Sequence, residues 1–318
     1  MRIIFAGSPT FAVPSLRALA ESKHEIVAVV TQPARPAGRG LALADPPVKQ
    51  FASAVGLKVF QPEKFNATEL LGTLAGLEPD LIITAAYGRI FRARALALPK
   101  IGCINLHASL LPKYRGVAPA NWAIANGETV TGVTTFFMDE GVDTGDIIMS
   151  RATDIGLNET AGELLERLST LGADLVRDTC DLVESGSAKP FRQNQIQASY
   201  APKLSKQDGK IVWDREARAV HNHVRGMSPW PGTFCFFREQ ALKILSTGLG
   251  GQERSPLESN MNGVEPGTVI AIDSAGGILV SCGSGSVWLV TLQAQGKRAT
   301  AGADFARGHR IKVGDHFG

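Results

Sequence analysis

The sequence predicts a doubly wound, mostly parallel α/β sheet followed by a small β-barrel, and three observations carry that prediction. Through the first 190 residues apolar runs alternate with helical patterns, the order that builds a parallel sheet covered by helices. Several runs, notably Leu81-Ile82-Ile83, are continuously apolar, as strands buried on both faces are. Beyond Gly209 the runs are short, rich in β-branched residues and separated by glycine-bearing turns, which fits a small closed sheet.

Taken in order, strands are expected at residues 2–7, 25–32, 58–61, 80–87, 102–107, 131–138 and 146–150. Helices are expected near 12–22, 47–55, 67–76 and 159–185. In the last of these, Leu164, Leu165, Leu168 and Leu171 stand at helical spacing, with Asn158 as the expected N-cap and Gly186 as the stop. Residues 33–47 carry neither period and read as a long loop. From Pro190 to Gly209 the chain turns to Gln, Asn, Ser, Pro and Lys without apolar periodicity, so a linker is expected at 190–208, between domains at 1–189 and 209–318. A helix near 215–225 precedes strands at 233–237, 268–272, 277–282 and 286–293, and Gly248 to Gly263 reads as a mobile surface loop.

Composition supports two folded domains. The 318 residues exceed what one compact core usually holds, and 44% hydrophobic against 20% charged residues supply ample core material. Cys103, Cys180, Cys235 and Cys282 are scattered without CxxC spacing, which points to a reducing compartment and no structural zinc; no metal site is expected. The chain runs from Met1 straight into a strand without a basic leader, and no apolar run approaches the roughly 20 residues of a membrane helix, so a cytoplasmic protein is expected. Residues 1–190 hold 18 basic against 20 acidic side chains, and residues 191–318 hold 15 against 10. The positive bias of the second part fits either ordinary surface solubility or a face turned to a polyanion.

The most informative segment is Ile104 to Pro112, where an apolar strand ends in an amide, an imidazole and a hydroxyl. In an open α/β sheet ligands bind outside the carboxyl ends of the strands, and period-two alternation puts Asn105 and His107 on one face. Alone, the pair reads equally as a structural Asn beside a hydrogen-bonded His; His24, in an expected surface turn between Lys23 and Glu25, is the other histidine of the first 190 residues. The loop Met138 to Asp146 is rich in carboxylates and glycine. Such a loop is usually a solvated turn, but in a parallel sheet its exit shares the edge of Asn105 and His107 and brings a carboxylate to the imidazole. The turn Gly7 to Ala12 lacks the glycines of a dinucleotide fingerprint, and the acids at 139–146 lack EF-hand order. Arg35 and Arg39 in the 33–47 loop suit phosphate contacts as well as they suit a plain surface loop.

Eight stretches then recur together: GSPTFAVPSL at 7–16, TQPARPAGRG at 31–40, AAYGRI at 85–90, CINLHASLLPKYRGVAPANWAI at 103–124, MDEGVDTGDII at 138–148, YAPKLSK at 200–206, RGMSPWPGTF at 225–234 and LQAQGKR at 292–298. With them the chain resembles the methionyl-tRNA formyltransferases over essentially its full length, whereas the NxHxSLLP segment alone marks only the wider folate-dependent formyltransferase group. The resemblance implies a Rossmann-like catalytic domain, an OB-like C-terminal barrel, and transfer of a formyl group from 10-formyltetrahydrofolate to methionyl initiator tRNA, with tetrahydrofolate released. It implies that Asn105, His107 and Asp143 are catalytic and that Ser109, Leu110, Leu111 and Pro112, with Tyr87 and Gly88, bind the folate. It places tRNA contacts at Arg35, Arg39, Lys203 and Lys206, and a monomer is expected. Leu41-Ala42-Leu43 follows Gly40 where lysines are common in that group, which shifts the expected tRNA contacts toward Lys203, Lys206 and the C-terminal domain.

These residue types suit the reaction. Attack of an amine on a formyl carbon develops an oxyanion, for which Asn105 and a protonated His107 are donors, while Asp143 moves protons from the attacking ammonium to the departing nitrogen. A formyltransferase for a small amine, such as a sugar nucleotide, is the rival; the basic C-terminal extension and the Arg35–Gly40 loop argue against it. A nucleic-acid-binding module without catalysis is the other, and it would lack one of Asn105, His107 or Asp143.

Overall fold

All seven strands expected in the first 190 residues join one sheet. The computed structural model describes residues 1–37, 42–249 and 263–318 and divides into two compact units. The first comprises Met1–Pro119, Thr131–Asp154 and Leu165–Ala201; the second comprises Ala120–Val130, Ile155–Leu164 and Pro202–Gly318.

The chain opens with β1 (Arg2–Gly7), α1 (Val13–Ala20) and β2 (Glu25–Val30), then β3 (Arg35–Ala37), β4 (Ala42–Ala44), α2 (Pro47–Ala54) and β5 (Val59–Phe60). It continues through α3 (Thr68–Ala75), β6 (Leu81–Ala85), α4 (Ala93–Leu96), β7 (Gly102–His107), β8 (Arg115–Gly116) and α5 (Pro119–Ala125). β9 (Val130–Phe137), β10 (Ile147–Asp154), α6 (Ala161–Glu184) and β11 (Tyr200–Ala201) follow. The large sheet runs β10-β9-β7-β6-β1-β2-β5. β7, β6, β1, β2 and β5 pair in parallel. β9 runs antiparallel to β7, with Ile104 opposite Phe137 and His107 opposite Thr134.

β1 and β6 are buried on both faces, which is why they read as unbroken apolar runs. Each fully buried Leu or Ile there contributes about 1.5–3 kcal/mol. Gly172, in the middle of α6, lies against Leu106 of β7; a Cβ added there would stand 2.6 Å from the Leu106 Cδ2. The helix approaches the sheet closely at the expense of a residue that weakens helices.

Several expectations change. The N-cap of α6 is Thr160 rather than Asn158, because the Glu163 N–H donates to the Thr160 hydroxyl while the Glu163 carboxylate accepts from the Thr160 N–H. Leu165 points outward, at 37% exposure. The 33–47 loop contains the antiparallel ribbon β3–β4, whose three-residue strands are too short to show a period. His24 sits in the expected turn between exposed Lys23 and Glu25, but its side chain is buried. The expected linker at 190–208 divides: residues through Ala201 belong to the first unit, with β11 paired in parallel to β8, and Pro202 onward belongs to the second. Polar side chains hold this stretch, so it has no apolar period to read.

The second unit contains α7 (Ala217–Gly226), β12 (Thr233–Phe237), β13 (Gln240–Leu249), β14 (Val269–Asp273), β15 (Gly277–Ser281), β16 (Ser286–Ala294), β17 (Thr300–Ala301) and α8 (Gly302–His309). Its strands pair in the order β12-β13-β16-β15-β14, with β17 on β16, all antiparallel. Phe236 and Gly318 exchange backbone hydrogen bonds, and Val269 donates to the Asp315 carbonyl, so the last residues join the edges at β12 and β14 and close the small sheet. β13 escapes sequence reading because its register shifts between Ile244 and Thr247, breaking the alternation. Most of the expected loop at Gly248 to Gly263 lies outside the described residues.

α7 carries a buried imidazole, His221, and a half-buried one, His223. His221 Nδ1 lies 3.0 Å from Thr247 Oγ1 and Nε2 lies 3.2 Å from the Leu157 carbonyl, and burial holds both His221 and His223 below the ordinary imidazole pKa. The folded unit then binds fewer protons than the unfolded chain just below pH about 6.5, so its stability is complete above that pH and falls as pH drops below it. All four tryptophans, Trp122, Trp213, Trp230 and Trp288, belong to this unit. Tryptophan-monitored urea unfolding should show a lower midpoint at pH 5.5 than at 7.5, and the difference should shrink in His221→Gln/His223→Gln; an equal or higher midpoint at pH 5.5 would contradict it.

Candidate active site

The ends of β6 and β7 carry the first part of the site. Thr84 stands opposite Asn105 in the parallel register, and its hydroxyl donates to Asn105 Oδ1 at 2.5 Å. The amide oxygen is therefore occupied. Among the described residues the Asn105 NH2 has no protein acceptor, which leaves two donors at a strand exit. Thr84 escapes notice in the sequence, yet a lone hydroxyl in an apolar strand, in register with a polar neighbour, is the signal that would find it.

His107 is 5% exposed. Its Nε2 lies 2.8 Å from the Tyr114 carbonyl. A carbonyl only accepts, so Nε2 carries the hydrogen and Nδ1 is the free nitrogen of the neutral ring. Nδ1 faces Asp143, whose Oδ2 is 3.6 Å away. Tyr114 sits at φ +60°, a left-handed conformation that bulky residues seldom adopt, and this turn aims its carbonyl back at the imidazole.

Asp143 reaches His107 by a different route from the one the sequence suggests. Because β9 is antiparallel to β7, the loop after Phe137 leaves β9 level with Ile104, at the far end of β7 from His107. The loop then doubles back along the sheet. Gly145 packs on the Phe137 carbonyl, where any Cβ would collide, and Asp143 adopts φ +54°. Asp143 Oδ2 accepts the Gly116 N–H at 2.8 Å, and the Gln193 amide donates to the carbonyls of Asp143 at 2.9 Å and Gly145 at 2.8 Å. Asn105, His107 and Asp143 thus form one cluster; Arg115, Tyr114 and Gln193, which support it, were not singled out from sequence.

Among the remaining candidates, Ser109 is fully buried, with its hydroxyl donating to the Lys113 carbonyl at 2.6 Å. The Leu111 N–H donates to Thr134 Oγ1, and Leu111 packs with Phe136 and Ile147. Ser109 to Pro112 therefore offer backbone and apolar surface, and the Ser109 hydroxyl is already spent on the Lys113 carbonyl. Tyr87 is buried against Phe65 and Phe91, and burial pushes its phenol up to about 12. Gly88 lines a cleft of ≈ 620 Å³ with Lys64, Phe65, Asn66, Arg89 and Arg92. The Gln32 amide donates to the Tyr87 carbonyl and the Gln61 amide to the Gln32 carbonyl, fastening the neighbouring strand exits together.

The basic candidates divide between the units: Arg35 is exposed in the first, Lys203 and Lys206 are exposed in the second, and Arg39 lies outside the described residues. A separate group, His24, Asp181 and Glu184, brings its ligand atoms within 4.8 Å of one another. Lys23 Nζ already bridges both carboxylates, at 2.9 and 2.8 Å, and with the N-terminal amine it holds Glu184 down to about 2. That group is an ion-pair knot supplied with its own cations.

Comparison with known proteins gives the family. Residues 1–179 match the family model described as Formyl transferase, and residues 203–310 match Formyl transferase, C-terminal domain. The fold is shared with an N-formyltransferase from Helicobacter canadensis solved with folinic acid and dTDP-3-aminofucose (TM-score 0.64, 20% identity, 90% of this chain and 98% of that one). It is shared also with HypX from Aquifex aeolicus solved with tetrahydrofolic acid (TM-score 0.61, 18% identity, 98% and 48%). The chain is 47% identical over 316 residues to the methionyl-tRNA formyltransferase of Pelotomaculum thermopropionicum, covering 99% of this chain and 97% of the relative. To that of Citrifermentans bemidjiense it is 44% identical over 318 residues, covering 100% and 96%. The chain belongs to the methionyl-tRNA formyltransferase family.

If Thr84 fixes the Asn105 amide, Thr84→Val should lower kcat about tenfold, the equivalent of one lost hydrogen bond, with little change in KM. Steady-state kinetics check this, and an unchanged kcat would show that Asn105 needs no such anchor.

Proposed function

We propose that the chain transfers the formyl group of 10-formyltetrahydrofolate to the α-amino group of methionyl initiator tRNA, giving N-formylmethionyl-tRNA for translation initiation. The observation that carries this reading is the pairing of an unspent amide donor, Asn105 Nδ2, with an imidazole whose free nitrogen faces a carboxylate, both at the end of one strand. Family membership at 44–47% identity along the chain supports the tRNA substrate over a sugar nucleotide.

The folate donor supplies an activated formyl carbonyl. Asn105 donates to its oxygen as negative charge develops there, a contribution of roughly 10² to 10³ in comparable acyl chemistry. His107 donates from Nδ1 when protonated, since Nε2 is held by Tyr114. Asp143 takes the proton released by the attacking amine and passes it toward the departing nitrogen, directly or through a water, worth on the order of 10² to 10⁴. The amine itself needs little activation, with a free α-amino pKa of roughly 7.7–8.0, so no covalent enzyme intermediate is required.

The strand-exit surface at Tyr87, Gly88 and Ser109–Pro112 receives the folate. Arg35, Arg39, Lys203 and Lys206 contact tRNA phosphates, and binding weakens steeply as salt rises. The protein works as a cytoplasmic monomer.

Labelled formyl transfer from 10-formyltetrahydrofolate to charged initiator tRNA, with charged elongator tRNA and a dTDP-amino sugar as controls, tests the reading. Transfer should favour the initiator, and preference for the sugar would defeat it. Asn105→Ala, His107→Ala and Asp143→Ala should each cut the single-turnover rate by about 10² or more at nearly unchanged tRNA affinity; undiminished rates would refute the residue roles.

A further inference from the structure

Arg115 is 1% exposed, the bulkiest of the fully buried side chains, and among the described residues no carboxylate pairs with it. A buried cation without a counter-charge is costly unless its hydrogen bonds perform a task. Among the described residues all three hydrogen bonds of its guanidinium go to glutamine oxygens. Nε and Nη2 donate to Gln193 Oε1 at 3.0 and 2.6 Å, and Nη1 donates to Gln195 Oε1 at 2.9 Å.

A guanidinium only donates, so it fixes which end of the Gln193 amide faces it. The opposite end, Nε2, is thereby turned to the Asp143 and Gly145 carbonyls, at 2.9 and 2.8 Å. The residue after Arg115 completes the arrangement, its N–H holding the Asp143 carboxylate itself at 2.8 Å. Arg115 and Gly116 form β8, which pairs in parallel with β11.

We propose that Arg115 and Gln193 are positioning residues that hold the doubled-back loop so that the Asp143 carboxylate stands on His107. The inference rests on the catalytic reading of Asp143 and His107 given above. It explains why a buried charge is balanced by amides: a carboxylate at position 193 would satisfy Arg115 equally well but would have no N–H for the loop.

The test is a double-mutant cycle on kcat combining Gln193→Ala with Asp143→Ala, each variant checked by thermal melting. Gln193→Ala should lose on the order of 10² in kcat, the scale of a displaced catalytic group, with KM for donor and tRNA unchanged, and should cost nothing further once Asp143 is Ala. Gln193→Glu, which keeps Arg115 paired and the fold intact, should show the same loss. A normal kcat in Gln193→Glu, or losses that multiply in the double variant, would overturn the clamp while leaving the site intact. A normal kcat in Asp143→Ala would overturn the reading of the site and the clamp with it.

Discussion

One hydrogen bond, from His107 Nε2 to the Tyr114 carbonyl, sets the geometry of the candidate site. It consumes one ring nitrogen, fixes the plane of the imidazole, and leaves the other nitrogen to face Asp143. The same short turn does more. Tyr114 supplies the carbonyl, Arg115 the buried guanidinium that orients Gln193, and Gly116 the N–H that holds the Asp143 carboxylate. Three consecutive residues thus place both His107 and Asp143, and none of them touches substrate in the proposed reaction.

Around this turn the polar interior is almost fully satisfied. The Thr84 hydroxyl holds Asn105, Ser109 holds the Lys113 carbonyl, Thr134 links the Ser109 carbonyl to the Leu111 N–H, and the Thr135 and Thr179 hydroxyls bond to each other at 2.7 Å. Polar networks in a low-dielectric interior are rigid when complete, because each broken link leaves a desolvated group. Asn105 Nδ2, on a half-buried side chain, has no protein acceptor among the described residues, and in the proposed reaction a donor held in place this way meets developing charge with no reorganisation.

The sheet was legible because burial on both faces writes unbroken apolar runs, as in Leu81-Ile82-Ile83. Asn105 and His107 were legible because they stand at a strand exit. The motif marks Asp143, but a parallel strand exit does not bring it to His107: β9 is antiparallel, and chain direction leaves no trace in side-chain alternation. Arg115 and Gln193 escaped because an arginine in a loop and a glutamine in a polar stretch ordinarily lie at the surface. Their burial depends on a pairing 78 residues apart in the chain. β3 and β4 are too short to carry a period, and the register shifts of β13 erase one.

The most direct measurement of this account is the tautomer of the neutral His107 ring, read from ¹⁵N spectra of the histidine side chains and assigned with a His107 variant. The hydrogen should sit on Nε2, with an unprotonated Nδ1 facing Asp143. A neutral ring with its hydrogen on Nδ1 would mean that the Tyr114 carbonyl does not hold it, and the geometry described here would not be that of the working site.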